Sequence, residues 1–146
     1  MIQAAIAGVE LKDLLTHSDE RGFFREVIRR TDPFFEGFGQ WSHSRMHRGV
    51  LKAWHLHRRQ TDWWYCIGAL KVALYDTRED SPTRGALMEL YLGDDHRSAC
   101  LKIPPGVAHG CLALEPTELL YVTSHTYDPE DELRLPPDDP TIGYRW

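Results

Sequence analysis

Short runs of apolar and alternating residues recur along the whole chain and predict an all-β protein. Residues 71–76 (Lys-Val-Ala-Leu-Tyr-Asp) and 118–123 (Glu-Leu-Leu-Tyr-Val-Thr) are rich in β-forming residues and alternate in part. Helix signals are limited to about one turn each at 11–15 and 34–38. Many short strands separated by turn residues are typical of an antiparallel sandwich or a jelly-roll barrel. The predicted strands cover residues 23–30, 39–45, 49–57, 62–68, 69–76, 86–92, 98–103, 108–114 and 118–127.

The length of 146 residues fits one domain over 1–146, with N-terminal strands within 1–45. The segment 128–146 differs from the rest of the chain because it holds four prolines and several acidic residues. We therefore expect an irregular, solvated C-terminal tail that wraps the surface.

The charge and the cysteine content indicate which partners and which cellular location to expect. The net charge is −5 and no basic block occurs, which argues against nucleic acid and anionic membranes as partners. The N-terminus has no basic region followed by an apolar run, so we expect neither a signal peptide nor a membrane span. The three cysteines form no Cys-x-x-Cys pair, which is typical of reduced thiols in a cytoplasmic protein.

Three histidines are the main candidates for chemistry. His55 and His57 are separated by one residue, so on a strand their imidazoles lie on the same face. His109 follows the turn sequence Pro104-Pro105-Gly106 and can converge on the same pocket. Because imidazole both titrates near neutral pH and binds metals, the residues alone leave two alternatives, a proton-transfer site and a metal site.

Two motifs resemble those of the cupins, which are small jelly-roll barrels. Gly49 with five further residues before His55-x-His57 is similar to the first cupin motif, and Pro104-x-Gly106-x-x-His109 is similar to the second. Metal-bound cupins add a glutamate to the three histidines, and here Asp62 is the nearest carboxylate. His55, His57 and His109 would still suffice for one divalent transition ion with an open position.

A more specific resemblance covers roughly residues 8–146 and points to the dTDP-4-dehydrorhamnose 3,5-epimerase family, a metal-free branch of the cupins. Its motifs occur in order along the chain. They are Asp-Glu-Arg-Gly-Phe-Phe-x-Glu at 19–26, Gln-x-Ser-x-Ser at 40–44, Gly-Val-Leu-Lys-Ala-Trp-His at 49–55, Asp-Ser-Pro-Thr-Arg-Gly at 80–85, Ile-Pro-Pro-Gly-x-Ala-His-Gly at 103–110, Tyr121, and Tyr-Asp-Pro at 127–129.

The resemblance implies an epimerase that acts on a nucleotide-linked 4-keto-6-deoxy sugar at C3, C5 or both. His55 would remove a proton beside the ketone, and Tyr121 would return one to the opposite face of the enolate. The family also implies a homodimer in which the N-terminal segment crosses to the neighbouring subunit. The residues at substrate-binding positions are Arg21, Phe24, Glu26, Gln40, Ser44, Lys52, His57, His109 and Tyr127.

Several departures from the family pattern stand out. His57 replaces the usual glutamine, Thr61 falls near a usual lysine, and Lys52 replaces an arginine. The family's C-terminal extension, which supplies an aspartate that orients the catalytic histidine, is expected to be absent. We therefore predict that His57, Asp62 or His109 sets the tautomer of His55.

The position of Lys52 raises a separate question of geometry. Strict alternation would place Lys52 on the face opposite His55, unless a β-bulge intervenes.

Four functions remain open at this stage. The metal-free epimerase is favoured because the fourth cupin ligand is missing and the epimerase motifs extend far beyond the pocket. A metal-dependent enzyme that uses His55, His57 and His109 is the second hypothesis. A keto-isomerase, which shares the enolate chemistry, and a non-catalytic sugar-nucleotide binder are the others.

Overall fold

The computed structural model describes residues 2–3 and 5–146, and within them every regular element is a β-strand. Residues 1 and 4 of the predicted N-terminal segment lie outside the described residues. The strands are β1 (Ile2–Gln3), β2 (Glu10–Asp13), β3 (His17–Asp19), β4 (Gly22–Phe24), β5 (Gln40–Met46), β6 (Leu51–His57), β7 (Asp62–Ile67), β8 (Ala69–Asp76), β9 (Leu87–Gly93), β10 (Ala99–Ile103), β11 (Val107–Ala113), β12 (Thr117–Thr123) and β13 (Glu132–Arg134).

Two antiparallel sheets form a jelly-roll-like sandwich. One sheet has the strand order β1-β2-β10-β7-β12-β5, and the other has the order β13-β6-β11-β8-β9. Strands β3 and β4 form a separate two-stranded hairpin. Neighbours within each sheet are often distant in sequence, as β7 pairs with both β10 and β12. This non-sequential pairing brings residues from five or more segments around one central space, as the sequence predicted for a jelly roll.

Apolar side chains from both sheets fill one side of that space. Leu70, Val72 and Leu74 alternate along β8, and they pack in the same cluster as Leu101 and Leu119 from the other sheet. All five are buried. This apolar cluster fills one part of the space between the sheets. The polar side chains lie in the other part, which opens to solvent.

Most predicted strands correspond to observed ones, with ends that differ by a few residues. The prediction was wrong at 23–30, where only Gly22–Phe24 is a strand, and at 11–15, where β2 replaces the expected helical turn. Residues 34–38 contain no helix, because a turn ends at Phe34 and residues 35–38 are irregular. The short strands β1, β2 and β13 escaped notice because two to four residues carry too little periodicity.

The C-terminal tail is irregular apart from β13, but it is not simply a solvated wrap. Leu133 lies opposite Leu56 in the β13–β6 pairing, which adds β13 to the edge of the second sheet. Farther along, Tyr144 and Trp146 pack against the buried indole of Trp54. The tail therefore covers the outside of β6. Among the described residues no helix is long and apolar enough to cross a membrane.

Candidate active site

One cavity of about 230 Å³ opens between the two sheets and gathers most of the predicted site residues. Its walls come from β5, β7 and β12 on one side and from β6 and β11 on the other. The predicted residues that line it are Gln40, Ser44, Lys52, His55, His57, His109, Tyr121 and Tyr127. Sequence reasoning therefore located the pocket, although it could not give its internal contacts.

A β-bulge in β6 directs two predicted residues into this cavity. In the pairing of β6 with β11, His55 lies opposite His109, whereas Lys52 lies opposite Cys111. Two residues of β6 thus oppose the single Gly110 of β11, which shifts the alternation of β6 by one position. The β-bulge that the sequence analysis required for Lys52 and His55 to share a face is therefore present, and both residues line the cavity. The ammonium group of Lys52 donates a hydrogen bond to the hydroxyl of Ser44 at 3.0 Å.

His55 is held by a carboxylate that the sequence analysis did not identify. Its Nδ1 lies 2.7 Å from Oε1 of Glu132 on β13, and the Glu132 side chain is 12% exposed. Burial acts to raise the pKa of Glu132, but hydrogen bonds from His55 and Arg134 outweigh it and lower that pKa. An ionised Glu132 keeps the proton of His55 on Nδ1 and leaves the lone pair of Nε2 free to act as a base.

The expectation that His57, Asp62 or His109 sets this tautomer was therefore wrong. The description of the acidic tail as solvated holds only in part, because Glu132 and Asp131 are largely buried whereas Glu130 and Asp138 are exposed. The physical reason is the pairing of β13 with β6, which aligns Glu132 with His57 in register and brings its side chain to His55.

Tyr121 lines the cavity from the sheet opposite His55. It lies on β12 between Trp64 of β7 and Ser42 of β5. Burial raises the pKa of the Tyr121 phenol, and the negative charges of Asp62 and Glu132 raise it further, whereas a hydrogen bond with Ser42 lowers it. The net effect is upward, so the phenol keeps its proton at neutral pH and can donate it.

His109 lies at the floor of the cavity and is almost entirely buried. The pKa of His109 is lowered to about 4, mainly by burial and in addition by the neighbouring imidazoles of His57 and His55, against the opposing effect of Asp62. Its Nδ1 donates to the backbone oxygen of Val107 at 3.3 Å. His109 is therefore neutral at pH 7, with an unshared pair on Nε2.

The remaining floor residues form a buried polar cluster. Asp62 is 4% exposed and accepts hydrogen bonds from Nε2 of Gln60 at 2.8 Å and from the indole of Trp64 at 3.1 Å. The Gln60 amide also lies 3.4 Å from Nε2 of His57. Ligand atoms of His57, Asp62 and His109 all lie within 4.8 Å of one another, so these three residues could hold a metal ion.

Three predicted contacts lie away from the cavity in the single chain. Arg21 and Phe24 are exposed on the β3–β4 hairpin, where Arg21 pairs with Asp19. Glu26 is exposed beyond the hairpin and lies 3.7 Å from Arg29. These residues do not line the cavity of their own chain. Their predicted role in substrate binding stays a prediction, which depends on a second chain.

Sequence reasoning overlooked Glu132, Gln60 and Trp64 as site residues and gave Asp62 only a marginal place. Asp62 and Trp64 alternate on β7, and that spacing could have indicated a shared face with Gln60. No local signal distinguishes Glu132 from the other acidic residues of the tail, because its role arises only from contact with β6.

Comparisons with known proteins show which family this chain resembles. A sequence profile described as dTDP-4-dehydrorhamnose 3,5-epimerase matches residues 3–146. The spore coat polysaccharide biosynthesis protein SpsL of Bacillus subtilis strain 168 is 46% identical, and the alignment covers 97% of this chain and 96% of that protein.

Solved structures are similar over the whole fold. The dTDP sugar isomerase from Desulfovibrio desulfuricans G20 superposes with a TM-score of 0.94 at 31% identity, covering 100% of this chain and 95% of that one. The epimerase RmlC from Legionella pneumophila Philadelphia 1, crystallised with dTDP-4-keto-L-rhamnose, has a TM-score of 0.85 at 27% identity and covers 99% and 81%. With its jelly roll, its ordered motifs and its profile match, the chain belongs to the dTDP-4-dehydrorhamnose 3,5-epimerase family.

Proposed function

We propose that this protein is an epimerase that inverts C3, C5 or both in a nucleotide-linked 4-keto-6-deoxy sugar through an enolate. The observation that carries the proposal is the placement of His55 and Tyr121 on opposite sheets, with the cavity between them. A base on one face of a sugar ring and an acid on the other are what inversion at carbon requires.

The proposed reaction consists of two proton transfers. Nε2 of His55 takes the proton from a carbon beside the ketone, and the electron pair of the C–H bond moves into the enolate. The phenol of Tyr121 then delivers a proton to the same carbon from the opposite face. Glu132 stabilises the imidazolium of His55 between these steps, and solvent returns both groups to their starting protonation states.

The substrate class follows from the family and from the polar lining of the cavity. A related RmlC enzyme binds dTDP-4-keto-L-rhamnose, and we propose a dTDP-linked sugar for this chain. The cation of Lys52, held beside Ser44, suits a diphosphate oxygen, whereas Gln40 and Tyr127 lie farther along the same opening. His57 and His109 lie at the floor, where the sugar ring would enter.

We further propose a homodimer that completes the site. Ligand pockets usually measure roughly 300–1,000 Å³, so the cavity of one chain, about 230 Å³, accommodates only part of a nucleotide sugar. Phe23 and Phe24 on the hairpin and Trp41 on the edge strand β5 are more than half exposed, which favours contact with another chain. In a dimer, Arg21, Phe24 and Glu26 would reach the neighbour's pocket and contact the nucleotide.

We propose that His55 and Tyr121 complete both proton transfers without a cofactor, because the flanking ketone already acidifies the C–H bond. We also propose a cytoplasmic location, which three buried, unpaired cysteines favour. The net charge of −5 supports a small-molecule substrate and no nucleic acid or membrane partner.

The direct test is incubation of the purified protein with a dTDP-4-keto-6-deoxy sugar in D₂O, followed by proton NMR. We expect deuterium to replace hydrogen at C3, C5 or both, together with signals of the inverted sugar. A product whose ketone has moved to C3 would instead identify a keto-isomerase. Binding without any exchange would identify a non-catalytic binder, and either outcome would overturn the proposal.

A further inference from the structure

We propose that the floor of the pocket binds one divalent transition-metal ion through His57, Asp62 and His109. This set differs from the one expected by analogy with the cupins, because it leaves His55 to its partner Glu132 and adds Asp62. One of the two sequence arguments against a metal was a missing carboxylate ligand, and the other was the extent of the epimerase motifs beyond the pocket. The structure places the Asp62 carboxylate among the imidazoles, which removes the first objection.

The orientation of both histidines supports the assignment. A histidine that binds a metal through one ring nitrogen almost always donates the other N–H to an oxygen atom of the protein. Nδ1 of His109 donates to the backbone oxygen of Val107, which leaves the unshared pair of that ring on Nε2. Nδ1 of His57 lies 3.7 Å from Oδ2 of Asp131, too far for a hydrogen bond, but Nε2 of His57 accepts from the Gln60 amide at 3.4 Å. The unshared pair of His57 is therefore on Nε2 as well, where an ion can bind it in place of the amide.

The charge of the cluster also favours a cation. Asp62 is buried, and the donors that contact it, the Gln60 amide and the Trp64 indole, are both neutral. A buried carboxylate is costly unless it is paired with a positive charge or bound to a metal.

The ligand atoms would have to move closer together to bind one ion. Ligand atoms around one tetrahedral ion at about 2.1 Å lie roughly 3.4 Å apart, and the three groups already lie within 4.8 Å of one another. The Gln60 amide, which now bridges His57 and Asp62, would have to move aside. Two imidazoles and one carboxylate suit zinc and neighbouring first-row ions, and the cavity leaves a further position open.

The role of the ion rests on the proposed function, whereas its binding does not. Among the described residues that line the cavity, Lys52 is the one lysine or arginine, and its ammonium group is held beside Ser44. A bound ion would supply positive charge to the ketone oxygen as the enolate forms. His55 and Tyr121 carry out the proton transfers with or without it.

Cobalt binding to untagged protein, stripped of metal by chelation and dialysis, tests the proposal. We expect one equivalent of Co²⁺ per chain, with the visible absorption bands of a low-symmetry site and matching metal content after gel filtration. His57→Gln, which installs the residue usual in the family, and Asp62→Asn should each weaken binding at least ten-fold. His47→Gln removes an exposed histidine outside the cavity and should bind as tightly as the unmodified protein.

A second measurement needs no variant. In the NMR spectrum of the unmodified protein, substoichiometric Co²⁺ should shift or broaden the ring signals of His57 and His109 before those of His47. Absence of saturable binding, equal binding by the two pocket variants, or first effects at His47 would each overturn the proposal. Deuterium exchange into the sugar by metal-free protein is scored separately, so failure of the metal site and failure of the epimerase remain distinguishable.

Discussion

Two buried carboxylates, Asp76 and Asp62, differ in the groups that surround them: one is suited to stabilising the fold and the other to a role in the pocket. Asp76 is fully buried at the end of β8, where Arg78, Ser81 and Thr83 donate to it at 2.8, 2.6 and 2.7 Å. Asp62, at the floor of the pocket, is almost as buried, but among the described residues its side chain accepts only from the two neutral donors named above.

The difference indicates a difference of role. The Asp76 charge is neutralised within the fold by a guanidinium group, so the turn around it is a structural element. No cationic side chain among the described residues pairs with Asp62, which lies where the fold opens to the cavity. The free energy that this buried charge costs is therefore useful only for binding or catalysis. Substitutions in the pocket should therefore change activity, whereas those at the Asp76 turn should change stability.

The largest effect should follow from His55→Asn. Loss of the base removes a general-base contribution of about 10²–10⁴-fold, so deuterium exchange into the keto sugar should fall by that factor. The amide can still donate to Glu132, so the thermal midpoint should change little. Near-normal exchange in this variant would exclude His55 as the base.

Glu132→Gln should have the next largest effect on activity. Without the negative charge, neither the Nδ1 proton nor the imidazolium of His55 is stabilised, and exchange should slow by roughly 10²-fold, with a changed pH–rate profile. Glu130→Gln is the matched control, because Glu130 is exposed two residues away. An unchanged pH profile in Glu132→Gln would argue that Glu132 serves only the pairing of β13.

Tyr121→Phe should separate the two halves of the reaction. The ring volume is conserved, so the fold should survive, while net inversion should fall by roughly 10²-fold for loss of the acid. Proton exchange at the carbon that His55 deprotonates should persist in part. If exchange and inversion fall equally, Tyr121 helps to form or hold the enolate.

At the other carboxylate, Asp76→Asn should reduce stability by about 3 kcal/mol at pH 7 and leave the activity of the folded protein unchanged. Burial acts to raise the pKa of Asp76, but hydrogen bonds from Arg78, Ser81 and Thr83 lower it strongly. Its ionisation therefore stabilises the fold above the unfolded pKa of about 3.9 and is lost as pH falls toward the lowered value.

Urea unfolding at pH 7 and at pH 3 measures this contribution. The gap in stability between unmodified protein and Asp76→Asn should be widest at pH 7 and should narrow in acid. A gap that widens on acidification would contradict the assignment of Asp76 as an ionised structural group.

The smallest effect on stability should come from Asp62→Asn in metal-free protein. The amide keeps an oxygen for the Trp64 indole and removes an uncompensated buried charge, so the free energy of unfolding should change by less than about 1 kcal/mol or rise. Thermal melts of the two variants side by side test the comparison directly. A loss as large as that of Asp76→Asn would show that both carboxylates are structural.

Local patterns explain why much of the fold and of the site could be predicted. Runs such as 69–76 and 118–127 have enough alternation to define strands, and β8 and β12 lie within them. The spacing of His55 and His57 correctly placed both on the cavity side of one strand. The short strand β13 could not be predicted in this way, because three residues with no apolar repeat define no period.

The sequence by itself determined the strand-rich class, the family motifs and the residues capable of acid–base chemistry, because each depends on residue type and short spacing. Only the tertiary structure decided which carboxylate serves which histidine. Glu132 reaches His55 across 77 positions, and the bulge that directs Lys52 inward exists only in the pairing of β6 with β11. Such contacts depend on register between distant strands, and no local preference encodes that register.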